Sequence, residues 1–167
     1  MNATELCEHL RFVRRYSSKL LDKTPQEEWF RIPPAGVSHV AWQVGHLTMA
    51  SYRLCLERLR GRQDGDERLI GDEYFTLFGR ESRPQADDQG RYPSAADLRA
   101  TFDRVHERVL IELPQVDPAT LDMAPLLRPH DLCPTRRACV VWCGQHEMLH
   151  AGQIGLLRRQ LGHDPLW

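Results

Sequence analysis

The sequence predicts an all-α protein, a four-helix bundle formed by a single domain over residues 1–167. Four long segments carry apolar residues at steps of three and four, the period of an amphipathic helix. Capping residues and helix breakers mark the ends of these segments, and we find no alternating β-branched runs that would indicate strands. Amphipathic helices in one domain bury their apolar faces against each other, which favours a bundle.

The first two helices follow from apolar spacing and from breakers. We predict the first over residues 4–22, where leucine and valine side chains share one face. The second is predicted to begin with Ser38 as N-cap, after the breaker at residues 33–36, and to run to about Arg60. Between them, residues 24–27 place a proline after a capping residue, which predicts a short additional turn.

The third and fourth helices begin at capping residues. Ser94, with an acidic residue three positions later, begins a third helix that ends at Leu113, before a proline. Thr135 begins a fourth helix, which ends where Gly162 is expected to act as the C-terminal cap. Asp117 is followed by proline and predicts another short turn between these helices.

Residues 61–93 form a long crossover between helices 2 and 3. The segment mixes polar residues and glycines with the aromatic side chains of Tyr74, Phe75 and Phe78. A connection of this length in a compact domain is usually a crossover, a lid or part of a binding site. Three alternatives follow for the rings: they seal the core, they cover one end of a pocket, or they contact a second subunit.

Composition limits the partners of the protein. The net charge of -1 argues against a nucleic-acid binder that works through a broad basic field. No apolar run approaches the length of a bilayer span, and the first residues do not form a signal peptide, so we expect a cytoplasmic protein without a membrane partner. The five cysteines form no C-x-x-C pair and are expected to be reduced thiols.

Residues 146–150 read HEMLH, a literal H-E-x-x-H motif. On a helix this motif is the zinc-peptidase signature, which requires a third metal ligand, usually downstream. Only 17 residues follow His150, and Gln153 and Leu156 stand where the extended peptidase motif has glycine and histidine. A peptidase is therefore not expected, and a third ligand must come from upstream.

Helical projection places the candidate site residues on two faces. On the fourth helix, an arc of about 80° contains Cys139, Cys143, His146, His150, Gln153 and Leu157. On the second helix, one polar stripe between two apolar shoulders contains His39, Gln43, His46, Ala50 and Arg53. Such a stripe suits the lining of a buried pocket, although a solvent-facing surface gives the same pattern in an isolated helix.

Histidines on facing helices of a bundle predict a metal centre. We predict His46, His146 and His150 as ligands, because three imidazoles leave open coordination positions, as in a catalytic site. Such a set accepts a divalent ion: zinc or nickel in the first place, with iron and manganese as alternatives. His39 lies about 10 Å from His46 by helical rise, so it is expected at the pocket mouth, as a cap, or exposed.

Four further residues are candidates for supporting roles. Gln153 is the predicted acceptor for the second ring nitrogen of His150. Cys143 is either an additional ligand or a small buried hydrophobe. Glu147 is either a general base or a residue that pairs helices, and Arg53 is a candidate for binding a substrate carboxylate.

Three stretches resemble one known family. They are AWQVGHL at residues 41–47, the middle stretch at residues 74–79 with Tyr-Pro-Ser at 92–94, and H-E-x-x-H-x-G-Q-I with L-R-R-x-L-G at residues 146–162. Together they resemble the DinB-like (DinB/YfiT) superfamily of metalloenzymes over nearly the whole chain. The resemblance implies up-down-down-up connectivity and a divalent metal held by one histidine of the second helix and two of the fourth, which match His46, His146 and His150.

The family resemblance leaves three hypotheses about function. Characterised relatives include thiol-dependent S-transferases and isomerases that use bacillithiol or mycothiol, which implies a low-molecular-weight thiol cosubstrate and a small-molecule substrate. The second hypothesis is a metal-dependent hydrolase in which Glu147 or His39 moves the proton. The third is a non-catalytic, stress-related metal or ligand-binding protein whose bundle face forms a homodimer.

Overall fold

The computed structural model describes residues 1–87, 90–127 and 131–166, and these residues are mostly helical with no β-strand. The all-α prediction is confirmed, whereas the up-down-down-up bundle connectivity stays a prediction. In chain order the helices are α1 (Ala3–Asp22), α2 (Val40–Tyr52), α3 (Arg58–Arg60), α4 (Asp66–Leu69), α5 (Glu73–Leu77), α6 (Ala95–Glu112), α7 (Pro118–Leu121) and α8 (Arg136–Gln160). A π-helical turn, Arg53–Glu57, joins α2 to α3, so this helical segment reaches the predicted end.

The predicted caps of the last two long helices are confirmed. The Ser94 side chain accepts a hydrogen bond from the Asp97 backbone N–H at the start of α6. The Thr135 side chain accepts one from the Ala138 backbone N–H at the start of α8. After α8 the chain turns at Gly162, whose φ of 98° lies in the left-handed region that glycine adopts without steric cost.

The N-cap of α2 was predicted at the wrong residue. His39 occupies this position, and its ring Nδ1 accepts a hydrogen bond of 3.0 Å from the Trp42 backbone N–H. The backbone of His39 is extended, which brings its imidazole next to the first turn. The hydroxyl of Ser38 instead accepts a hydrogen bond of 2.8 Å from the Gln43 side chain.

The two short turns were predicted correctly, but only one has the predicted cap. Asp117 caps α7 by accepting a hydrogen bond from the Ala119 backbone N–H. At the earlier turn, Gln26–Glu28 forms a 3₁₀ helix without a side-chain cap. The Thr24 hydroxyl donates instead to the Leu20 carbonyl, 2.7 Å away, because Thr24 follows directly on α1.

Helix α2 lies at the centre of the packing and contacts both α6 and α8, while α1 packs against α8. Within α2, Trp42 and His46 alone are half-buried and every other residue is buried. The polar stripe of this helix is therefore the lining of an interior site, and the solvent-face alternative is wrong. Gln43, in the middle of the stripe, is only 2% exposed.

The crossover between α3 and α6 contains α4 and α5 and packs against α2. Phe78, which follows α5, is fully buried, and Tyr74 is buried as well, so both rings seal the core. Phe78 fits because position 45 is glycine: a Cβ there would lie 2.5 Å from the Phe78 ring. No helix in the described ranges has both the length and the apolar character of a bilayer span.

Candidate metal centre

Three imidazoles from two helices meet at one point. His46 comes from α2, and His146 and His150 lie one turn apart on α8. His146 Nε2 lies 3.4 Å from His46 Nε2 and 3.1 Å from His150 Nε2. One ligand atom of each ring lies within 4.8 Å of those of the other two, so the group is able to hold a metal ion.

The outer nitrogens of two rings bind fixed acceptors. His46 Nδ1 donates to the Phe78 carbonyl oxygen at 2.8 Å, and His150 Nδ1 donates to Gln43 Oε1. A carbonyl or amide oxygen accepts and does not donate, so each Nδ1 carries the proton. The Nε2 atoms of His46 and His150 therefore present lone pairs to the shared point, which is the tautomer of a metal ligand.

This donor set fits a cation. The lone pairs of His46 and His150 both face His146 Nε2. That atom carries at most one proton, so it can donate a hydrogen bond to only one of them. A divalent ion would accept all three pairs at once. For zinc–nitrogen bonds of about 2.0–2.1 Å in a tetrahedron, the nitrogens lie roughly 3.3 Å apart, close to the two observed separations.

Burial keeps His46 and His150 neutral. The pKa of His150 is lowered to about 3, first by burial and then by the neighbouring rings of His146 and His46. Burial also lowers the pKa of His46, and the hydrogen bond to the Phe78 carbonyl opposes this only in part. Metal binding requires the neutral imidazole, so neither ring has to release a proton before it binds a metal at neutral pH.

Two tryptophans lie against the imidazoles. The Trp42 ring stacks on His46 with the centroids 4.8 Å apart and the planes 13° from parallel. The Trp42 Nε1–H donates to Ser82 Oγ at 2.9 Å, which fixes the indole to the segment after α5. The Trp142 centroid lies 6.0 Å from that of His146.

A cleft of about 350 Å³ opens beside two of the three rings, at the small end of the range for ligand pockets. Its described lining consists of His46, Met49, Ala50, Arg53, Leu54, Arg58, Arg80, Trp142 and His146. Arg53 had been expected at such a position, whereas Arg80 had not. Arg80 belongs to the long crossover, and only the folded path of that segment brings it to the histidines.

Comparison with protein-family models agrees with the geometry. The model of the DinB superfamily matches residues 9–154. The chain belongs to the DinB superfamily. All three histidines lie within the matched region. A comparison with curated proteins finds no match.

The acceptor for His150 is Gln43 and not Gln153. Gln153 is exposed on α8, while Gln43 faces the histidines from α2. Gln43 precedes His46 by one helical turn on the same face, so the sequence predicts its position on the helix. The sequence does not predict its hydrogen-bond partner, because that depends on how α2 packs against α8.

Glu147, the glutamate of the H-E-x-x-H motif, is buried and pairs α8 with α1. Its carboxylate accepts hydrogen bonds from Arg14 Nε at 2.9 Å and from Arg14 Nη2 at 3.2 Å. Arg14 also donates to the Phe102 carbonyl at 2.9 Å and lies over the Phe102 ring. Both carboxylate oxygens thus accept hydrogen bonds from Arg14 of α1, in agreement with the helix-pairing role.

His39 and Cys143 likewise have contacts within the fold. Besides capping α2, His39 uses its Nε2 to bind the Gln85 carbonyl oxygen at 2.9 Å, and it is fully buried. Both of its ring nitrogens are therefore engaged. The Cys143 thiol is buried beside Cys55 of the π-helical turn, and its hydrogen bond to Cys55, followed by burial, raises the pKa of Cys55.

Arg158 of α8 does not reach the cleft. It is buried at the far end of α8, where Nη1 donates to Thr24 Oγ1 at 3.2 Å. The same atom binds the Lys23 carbonyl oxygen. Arg158 thus joins α8 to the chain that follows α1, a little over two helical turns past His150.

Proposed function

We propose that this protein is a divalent-metal-dependent enzyme of the thiol-dependent S-transferase or isomerase class, with zinc or nickel as the metal. The observation that carries the proposal is the set of three converging imidazole nitrogens beside a cleft. A three-histidine set leaves coordination positions for substrate, which is typical of catalytic sites. Membership of the DinB superfamily supports a metal-dependent activity.

The residues of the chain orient and shield the centre. When bound, a divalent cation lowers the pKa of a coordinating thiol and so supplies a thiolate at neutral pH. Gln43 and the Phe78 carbonyl hold two imidazoles in the ligand tautomer. Trp42 covers one face of the His46 ring, and Trp142 lies beside His146 in the lining of the cleft. The cleft then holds an electrophile beside the thiolate.

The contacts of Glu147 and His39 favour a transferase over a hydrolase. A hydrolase that activates water benefits from a nearby general base. The two candidates for that base are both engaged elsewhere, Glu147 with Arg14 and His39 with the start of α2 and Gln85. A thiol needs no such base, because coordination alone is enough to deprotonate it near neutral pH.

Metal binding is the first test. Protein treated with a chelator is titrated with zinc and with nickel by calorimetry, next to His46→Ala, His146→Ala and His150→Ala. We expect one ion per chain for the wild type and a loss of binding in each variant. His163→Ala is the control, since His163 pairs with Glu28 and is expected to leave metal binding unchanged. A wild-type protein that binds neither ion would contradict the proposal.

Catalysis is tested on the metal-loaded protein. A panel of low-molecular-weight thiols, including bacillithiol and mycothiol, is incubated with the electrophile 1-chloro-2,4-dinitrobenzene, and thioether formation is followed by absorbance. We expect product that depends on both metal and thiol. Turnover of ester or amide substrates without thiol would favour the hydrolase. Inertness in both assays with metal binding retained would favour a non-catalytic metal-binding protein.

A further inference from the structure

The cleft beside the histidines has an unusual charge. Three arginines line it, Arg53, Arg58 and Arg80, and its described lining contains no aspartate or glutamate. Another cleft of about 430 Å³, between α4 and α6, provides the contrast. There acids and arginines alternate, and members such as Asp66 and Glu112 are paired with Arg60. The cleft beside the histidines thus has an excess of positive charge that the cleft between α4 and α6 lacks.

Arg53 is held in place and forms only a long ion pair, with Glu57. Its Nε lies 3.9 Å from a Glu57 oxygen, which is beyond hydrogen-bond distance, and its side chain is 45% exposed. The guanidinium lies over the Phe75 ring, 4.8 Å from the centroid. Stacking of this kind restricts the side chain while its N–H donors stay available.

Arg80 is exposed, follows α5 and lines the same cleft as Arg53. Among residues 1–87, 90–127 and 131–166, no carboxylate lies within ion-pair distance of Arg80. Arg58 also lines the cleft, and its positive charge opposes the rise in pKa that burial gives to Cys133 and Cys139. Three cations that share one cleft repel each other, and an anion relieves that repulsion.

The remaining wall of the cleft is apolar. Met49, Leu54 and Trp142 line it, and none of these side chains offers a charge. An arginine guanidinium binds a carboxylate through paired N–H donors, and an apolar wall binds a hydrocarbon stem. The volume suits a small molecule and not a peptide or a polymer.

We propose that this cleft binds a small carboxylate-bearing molecule with an apolar stem, its carboxylate held by Arg53 and Arg80 and its stem against the apolar wall. This proposal names the substrate class of the three-histidine site. It rests on the proposed function in one respect, namely that the bound carboxylate is the electrophile attacked by the thiol. Arg53 and Arg80 then determine specificity by selecting anionic over neutral substrates.

Binding of a matched pair of probes tests the proposal. Calorimetry is used to titrate 3-phenylpropanoate and its neutral analogue 3-phenylpropanamide into metal-free and zinc-loaded protein. We expect the carboxylate to bind on the order of tenfold more tightly than the amide in both forms, because a charge-assisted hydrogen bond is stronger than a neutral one. Added salt should narrow this difference.

Variants then assign the preference to particular residues. Arg53→Gln and Arg80→Gln are each expected to lower carboxylate affinity on the order of tenfold and to leave amide affinity unchanged. Arg83→Gln is the matched control: it removes an exposed arginine of the same crossover that does not line the cleft. Circular dichroism confirms that the variants fold, which is expected because both substituted cleft arginines are exposed.

Two results would overturn the inference. One is equal affinity for the carboxylate and the amide. The other is a carboxylate affinity that disappears with the metal but is unchanged in Arg53→Gln and Arg80→Gln, since the metal alone would then hold the anion. The metal-free protein could bind the carboxylate through its arginines while the thiol assay gives no product. That pair of results would support the anion site and contradict the proposed function.

Discussion

Gln43 Oε1 accepts a hydrogen bond from His150 Nδ1, and this bond joins α2 to α8 beside the three-histidine group. The Gln43 amide is itself oriented, because its Nε2 donates to Ser38 Oγ at 2.8 Å. The amide oxygen is therefore the atom that faces His150. One side chain of α2 thus fixes both the tautomer and the ring orientation of a ligand on α8.

We expect Gln43→Met to lower the zinc affinity. Methionine fills similar space but offers no strong acceptor, so the His150 proton is free to move to Nε2 and compete with the metal. Loss of such a partner typically costs about 10- to 100-fold in metal affinity. Calorimetric titration of the metal-free variant with zinc measures the change.

Gln153→Met is the matched control for this prediction. Gln153 is exposed on α8 and is the glutamine that the sequence favoured as acceptor. Its replacement should leave the zinc affinity within error of the wild type. The reverse result, a loss for Gln153→Met and none for Gln43→Met, would mean that α2 and α8 do not pack in this register in solution.

Gly45→Ala should destabilise the protein and weaken the metal centre together. The added Cβ would lie 2.5 Å from the Phe78 ring, which must then move away from α2. Phe78 also supplies the carbonyl that binds His46 Nδ1, so that contact should lengthen. Overpacking of this kind costs about 1 to 3 kcal/mol of unfolding free energy, which chemical denaturation of the metal-free protein measures.

Gly152→Ala provides the comparison on α8. A Cβ at this position meets no atom within 4 Å, so the change is sterically free. Alanine in place of glycine within an exposed helix should raise the unfolding free energy by about 0.5 to 1 kcal/mol. Equal effects of the two substitutions would show that Gly45 is not needed for the packing of Phe78.

The Arg14–Glu147 pair should behave as a buried structural ion pair. The two side chains are 8% and 4% exposed, so removal of one partner leaves a buried charge. Arg14→Met alone is expected to lower the unfolding free energy by about 3 to 5 kcal/mol. The double variant Arg14→Met with Glu147→Met should recover most of this loss. Denaturation of the wild type, the two single variants Arg14→Met and Glu147→Met, and the double variant measures the coupling.

The same pair separates a structural role of Glu147 from a catalytic one. Glu147→Gln keeps the shape of the side chain and should destabilise the fold while zinc affinity changes little, because Glu147 binds Arg14. A normal stability with abolished turnover in a metal-loaded assay would instead assign Glu147 to the chemistry. That outcome would revive the hydrolase hypothesis.

His106 should make the fold sensitive to mild acid. Its pKa is lowered from 6.5 to about 3, first by burial and then by Arg14 and Arg11. The unfolded chain therefore binds a proton that the folded chain does not, and stability that is fully present above about pH 6.5 is lost as the pH falls towards 3. By about pH 5 the loss from this residue amounts to about 2 kcal/mol.

His106→Asn should remove that part of the pH dependence. The unfolding free energy of the metal-free variant and of the wild type is measured between about pH 7 and pH 5, and the variant should lose about 2 kcal/mol less. Metal-free protein is used so that metal release does not contribute. Parallel curves for the two proteins would contradict a strongly lowered pKa at His106.

The sequence determined those features that are local. Apolar spacing at steps of three and four predicted α1, α6 and α8 to within a residue or two, and the caps Ser94 and Thr135 were found from residue type alone. The spacing of His146 and His150, with His46 on another helix, was likewise contained in helical periodicity. Each of these depends on hydrogen bonds and side-chain directions that repeat within one or two helical turns.

Tertiary structure alone decided what each of those residues contacts. Glu147 binds Arg14, which is 133 residues away in the chain, and His150 chooses Gln43 over the nearby Gln153. Arg80 reaches the cleft through a crossover whose path no periodicity encodes. The physical reason is that a helix fixes directions only around its own axis, whereas the crossing of α2 with α8 and the burial of Phe78 against Gly45 fix which side chains meet.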